Sequence, residues 1–178
     1  EVGLFIGAGS AAGGLIGTTL GGVLADWLKP RVPAGRLLIG YIVVVTMTPA
    51  ALWMVYAESL TIAYVMSFVL TLVSSMWAGI PPSTASDLVM PRMRAVSGAY
   101  YILVNTFLGF ALGPYVMGQL SDVFMASGMS GGESLQLAMA VSLLMFIVTI
   151  GCLIMARRHL PIDEASRLER ARALGEPV

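Results

Sequence analysis

His159 and Cys152 are the residues best suited to ligate a metal or attack a substrate, and the chain has one of each. A zinc centre needs three or four ligands at set spacings, and a nucleophile needs a base beside it. One imidazole and one thiol at separate sites supply neither. No HExxH, GxSxG or Walker phosphate loop occurs, and every acid falls in a loop, at a helix end or in the tail. No two carboxylates therefore share an apolar stretch where they could do acid–base work. The sequence predicts no enzyme, no cofactor and no metal. A net charge of zero argues against a nucleic-acid partner. The polar groups left inside apolar stretches are few. Asn105, with Tyr101 one turn before it on the same face, is the best candidate for touching a solute; an interhelical hydrogen bond is its other reading. Thr18, Ser74 and Trp77 are further pocket candidates. Thr18 can equally bond to its own backbone, and Trp77 can equally be an interfacial aromatic.

The elements that must position these residues are apolar helices. The chain is 57% hydrophobic and 11% charged, with a mean hydropathy of +0.86, whereas soluble domains average about 25% charged. Five apolar runs appear, at about 2–25, 37–56, 60–82, 96–120 and 137–155, within a membrane region of residues 1–156. About 20 residues rising roughly 1.5 Å each cross a bilayer core, and none of the runs alternates as a barrel strand would. The fold class is all-α, a polytopic membrane helix bundle in contact with lipid.

Basic residues orient it. Lys29, Arg31 and Arg36 follow the first run, Arg92 and Arg94 follow the third, and Arg157, Arg158, Arg167, Arg170 and Arg172 lie in the tail, 157–178. Those ten are every Lys and Arg in the chain. The positive-inside rule then puts the C-terminus in the cytosol and Glu1 outside, in a plasma (bacterial inner) membrane. The chain begins at Glu1 without a basic n-region or a cleavage site, which reads as a fragment or a processed end rather than a signal peptide.

Small residues set the packing. Gly9, Gly13, Gly17 and Gly21 recur every four positions, so a neighbouring helix can approach backbone to backbone. Pro81-Pro82 must bend or end the third helix. The fourth run opens after Arg92 and Arg94 and carries Asn105 about 16 Å inside that boundary. Gly109, Gly113-Pro114 and Gly118 follow, glycines that invite close packing around an expected kink. The polar segment Ser121 to Ser134 reads as an outer loop. The fifth run reads as one peripheral helix, and the tail as a short surface helix or a frayed end.

The order Arg94, Asn105, Gly109, Gly113-Pro114, Gly118, Ser121-Asp122 resembles the eleventh helix of major facilitator superfamily transporters, most closely the spinster-like branch. Gly22 and Asp26, with Arg31 and Arg36 as the basic cluster, resemble the superfamily's loop signature, although Trp27 and Lys29-Pro30 depart from it. The resemblance implies the C-terminal half of a major facilitator fold, about helices eight to twelve, working with an N-terminal half absent from this sequence. It implies alternating access for a small-molecule or lipid-like solute bound between the halves, with Gly22, Asp26, Arg31, Arg36 and Arg94 in the gate. Any proton-coupling acid is then expected in the missing half. A membrane scaffold that transports nothing would use the same glycine ridge.

Overall fold

The computed structural model describes residues 2–32 and 34–173, so Glu1, expected outside, and the last five residues of the tail lie beyond it. Five helical spans are long and apolar enough to cross a membrane, and the described residues form no strand. Helix α1 is Val2–Leu28, α2 is Arg36–Val55 and α3 is Leu60–Ala78. A two-turn helix, α4, runs Ile80–Asp87, and α5 runs Arg94–Asn105. A π-helical segment, Thr106–Leu112, leads into α6, Gly113–Ala126. Helices α7, Gly131–Ser142, and α8, Met145–Ala173, complete the chain.

The first three helices form the packed unit, and α1 lies most extensively on α3. A Cβ built on Gly17 or Gly21 would collide with the backbone of Leu72 or Met76, and one on Gly13 would meet Leu72 N and Phe68 O at 3.3 Å. Glycines four apart on α1 thus face residues four apart on α3, and the two backbones touch. Gly109, Gly113 and Gly118 differ. Open space lies where their side chains would be, so the close packing expected of them has no partner among the described residues.

The buried core gathers at the basic end. Ile39 is fully buried, with Ala25, Val43, Val73 and Ile80 around it. A second cluster joins Leu37 and Val44 to Leu153 and Leu160 of α8. Elsewhere the bundle presents apolar side chains outward, as lipid contact requires.

Three interruptions refine the expected spans. The third span breaks at Gly79, just before the prolines, so Pro81 and Pro82 sit in the first turn of α4, where two missing N–H donors cost least. In the fourth span the irregularity starts before Pro114 and widens seven residues into π geometry, with Pro114 in the first turn of α6. The fifth span, expected to run unbroken, is interrupted at Leu143-Leu144. There the amides of Leu143, Leu144, Phe146 and Ile147 bond to carbonyls three residues back, at 2.9–3.2 Å. That tight turn keeps the backbone satisfied where hydrocarbon would offer no partner.

The segment read as a loop from Ser121 to Ser134 is a loop only over residues 127–130 and is helical on either side. Ser130 caps α7: the Glu133 amide donates to its hydroxyl, and its own amide donates to the Glu133 carboxylate. The buried hydroxyls of Ser121 and Ser134 lie 3.1 Å apart. Because Ser134 donates to Gly131 O, Ser121 is the donor of that pair. The tail differs too. Helix α8 continues through Pro161 to Ala173.

The contrast between the glycine sets gives a test. Gly17→Leu forces α1 off α3 and is expected to lower stability by about 1–3 kcal/mol. Gly118→Ala, with open space around it, leaves it unchanged. Melting temperatures in detergent should separate the two variants.

Candidate functional site

At the basic end, four helices bring charged groups together that lie far apart in the chain. Arg36 opens α2 and is buried, with 8% of its side chain exposed. Its Nη1 lies 2.8 Å from Asp87 Oδ2 at the end of α4, and its Nη2 lies 3.5 Å from Glu164 Oε1 on α8. Lys29 Nζ, just past α1, reaches the same Asp87 oxygen at 3.4 Å. From α8, Arg167 Nη1 donates to the Asp87 carbonyl at 2.6 Å. Arginine cannot shed its proton to escape burial, so it needs carboxylates on the spot. Asp87 is the stronger partner by geometry, and Glu164 is longer and more exposed.

Local structure explains the meeting. The break at Gly79 starts a new helix, and two turns of α4 carry Asp87 back toward α2. Thr84, buried in that short helix, donates to Ile80 O at 2.7 Å and leaves no hydroxyl competing for the cluster. Ser97 of α5 donates to Ala85 O at 3.2 Å, tying α5 to α4. Beyond Leu28 the chain turns sharply: Gly35 lies against Leu28 O, where a Cβ would collide, and Ala34 takes a positive φ of 53°. The turn delivers Arg36 beside the end of α1.

A cleft of about 360 Å³ opens on this cluster, lined among others by Thr18, Gly22, Asp26, Lys29, Arg36 and Asp87. Three of the five expected gate residues, Gly22, Asp26 and Arg36, therefore share one cleft. Gly22 has open space at its Cβ position. Asp26 is exposed and makes no ion pair among the described residues. Arg31 is turned elsewhere, onto Trp27: its guanidinium lies 4.1 Å from the ring centroid and donates to Trp27 O at 2.6 Å. Arg94 is exposed at the start of α5.

The pocket candidates are scattered. Thr18 lines the charged cleft, and its hydroxyl donates to Gly14 O at 2.8 Å in its own helix. Ser74 likewise donates to Thr71 O at 3.0 Å. Trp77 serves packing, its ring over Gly40 of α2 beside Leu153 of α8. Tyr101 is half-buried, and Asn105 is exposed where α5 passes into the π segment. Asp87, Glu164 and Arg167 are the site residues that the sequence reading passed over. One signal was present: Asp87 is the sole acid between Glu58 and Asp122.

Two relatives match part of the chain. A Mycolicibacterium smegmatis protein described as an MFS-type efflux pump is 28% identical over 122 residues, 68% of this chain and 28% of its own length. Protein spinster homolog 3 of Danio rerio is 31% identical over 119 residues, 65% of this chain and 24% of its own. The chain is related to the major facilitator, spinster-like proteins. It spans about a quarter of the length of the relatives it matches. No family model and no solved structure matches it. With five spanning helices and these relatives, the chain is an integral membrane protein whose outer faces meet the lipid bilayer.

The geometry ranks the charged partners. Asp87→Asn leaves Arg36 facing a neutral amide and is expected to cost about 2 kcal/mol. Glu164→Gln, at the exposed and longer contact, costs less than about 1 kcal/mol, and Lys29→Ala less still. Thermal denaturation of the three variants should reproduce that order.

Proposed function

We propose that the chain is the C-terminal part, about helices eight to twelve, of a secondary carrier that moves a small organic or amphipathic solute across a membrane by alternating access. The observation that carries this reading is the relationship of a five-span chain, over about two thirds of its length, to an MFS-type efflux pump and a spinster homologue. The charged cleft supports it. Ion pairs linking α2, α4 and α8 at one end of a bundle suit contacts that form in one conformation and break in another.

In this reading the basic end faces the cytosol, because it gathers the lysine and arginines of the loops and the tail. Asp26, exposed and without an ion pair among the described residues, is free to meet a group of the N-terminal half. Gly22, Arg36 and Asp87 surround the same cleft. Asn105 and Tyr101 face the solute path between the halves. The chain holds no acid well inside an apolar run, so a proton-coupling carboxylate, where one is used, belongs to the other half.

Cysteine labelling of the full-length protein tests this. Tyr101→Cys and Asn105→Cys, in a Cys152→Ser background, are expected to react with a membrane-impermeant maleimide. In inverted and right-side-out vesicles the labelling should shift between sides when Asp87→Asn weakens the ion pairs. Complete protection from both sides would instead mark a packed membrane scaffold and sink the carrier reading.

A further inference from the structure

The α1–α3 contact is tight at one end and open at the other. Gly21 and Gly17 touch the α3 backbone, and Gly13 has backbone atoms at 3.3 Å from its Cβ position. At Gly9 the nearest neighbour is a Phe68 ring carbon at 3.9 Å, and Gly7 and Gly3 have nothing within 4 Å. The wedge forms a half-open cavity of about 400 Å³, lined by Ile6, Ala8 and Ser10 of α1 and by Tyr64, Ser67 and Phe68 of α3, among others. That volume lies in the range of small-molecule sites, about 300–1,000 Å³.

Its two serine hydroxyls behave differently from most in the spans. Thr18, Thr46, Thr48, Thr71, Ser74 and Thr149 each donate to a carbonyl of their own helix at 2.7–3.0 Å. The side chains of Ser10 and Ser67, one on each wall of the cavity, have no such bond among the described residues. In an apolar setting an unmade hydrogen bond is costly, so both hydroxyls favour an occupant able to bond to them. Among the described residues the lining holds no charged side chain, and against these an ion would lose its hydration with nothing to replace it.

The geometry points to this cavity as a binding site for an uncharged molecule with a largely apolar body and a hydrogen-bonding head. The body packs against Ile6, Ala8 and Phe68, and the head exchanges hydrogen bonds with Ser10 and Ser67. The occupant is the carried solute, an assignment that rests on the transport reading; the site itself does not.

The test uses the full-length protein in lipid nanodiscs with three dyes: neutral N-phenyl-1-naphthylamine, anionic 1-anilinonaphthalene-8-sulfonate and cationic ethidium. The neutral dye is expected to show saturable fluorescence above that of empty nanodiscs. Ala8→Phe, which fills the cavity, weakens that binding by at least about tenfold. Ser10→Ala combined with Ser67→Ala keeps the volume, removes both hydroxyls and weakens it about three- to tenfold. Neither charged dye shows a saturable component that Ala8→Phe removes. Neutral-dye binding indifferent to both changes, or charged-dye binding abolished by Ala8→Phe, overturns the site. Flux of the neutral dye into proteoliposomes is read separately. Site binding without carrier-dependent flux overturns the assignment of the occupant as cargo. Flux that survives Ala8→Phe overturns the assignment of the occupant as cargo and leaves the transport reading standing.

Discussion

Contact between the α1 and α3 backbones governs the rest of the bundle. In lipid, apolar surfaces gain little by meeting each other, so helices associate through close van der Waals contact and hydrogen bonds. Gly13, Gly17 and Gly21 provide that contact by exposing α1 backbone to the carbonyls and amides of Phe68, Leu72 and Met76. With α1 and α3 fixed, α2 packs on α3 through Val43 and Val73, and Gly40 accepts the ring of Trp77 against its backbone. Helix α8 then adds Leu153 and Leu160 over Leu37 and Val44. Side chains larger than glycine at positions 17 or 21 would displace α1 and with it the wall of the charged cleft.

A second constraint is that hydrocarbon satisfies no backbone group. Each place where a span departs from α geometry therefore carries its own repair. The break at Gly79 restarts as a helix whose first turn holds the prolines. The turn at Leu143-Leu144 tightens to bonds three residues back, and Ser142 folds onto Ala138 O at 2.8 Å while its hydroxyl also approaches Met117 Sδ at 3.3 Å. The π segment widens the helix before Pro114 removes a donor. Span four is tied to α4 at its start and lies against α7 over its second half. Ser97 holds one end to α4, and Ser121 with Ser134 holds the other to α7.

Local chemistry was legible in the sequence, and distant pairing was not. Apolar runs and a four-residue glycine spacing are local, and they announced the spanning helices and the small-residue face of α1. The prolines at 81 and 82 announced an interruption, though not that Gly79 would take it. The Ser130–Glu133 capping box was also local and readable, yet the glycines and serines around it suggested a loop. The same local rule misjudged Gly109, Gly113 and Gly118, because glycine spacing permits a neighbour without supplying one. The charged cluster is another matter. Arg36, Asp87 and Glu164 come from three widely separated segments, and each alone looks like an ordinary charge at a helix end. Only the turn at Gly35, the length of α4 and the unbroken run of α8 past Pro161 bring them within reach.

The tight end and the open end of the bundle follow from one geometry. Two straight helices whose backbones touch near Gly21 must diverge along their length if their axes cross. Over the roughly 18 Å from Gly21 to Gly9, a crossing of about 20° offsets one axis sideways from the other by about 6 Å. That is enough to turn backbone contact into a cavity. Glycine contact and the Arg36–Asp87–Glu164 ion pairs both act at the basic end, so they hold that end together and leave the divergence to appear at the other. The charged cleft and the uncharged wedge are therefore opposite ends of the same helix pair. A change that released the ion pairs would remove one of the restraints holding α4 to α2 and α8, while the glycine contact held α1 on α3. Separate restraints of this kind let one end loosen without dismantling the packed unit.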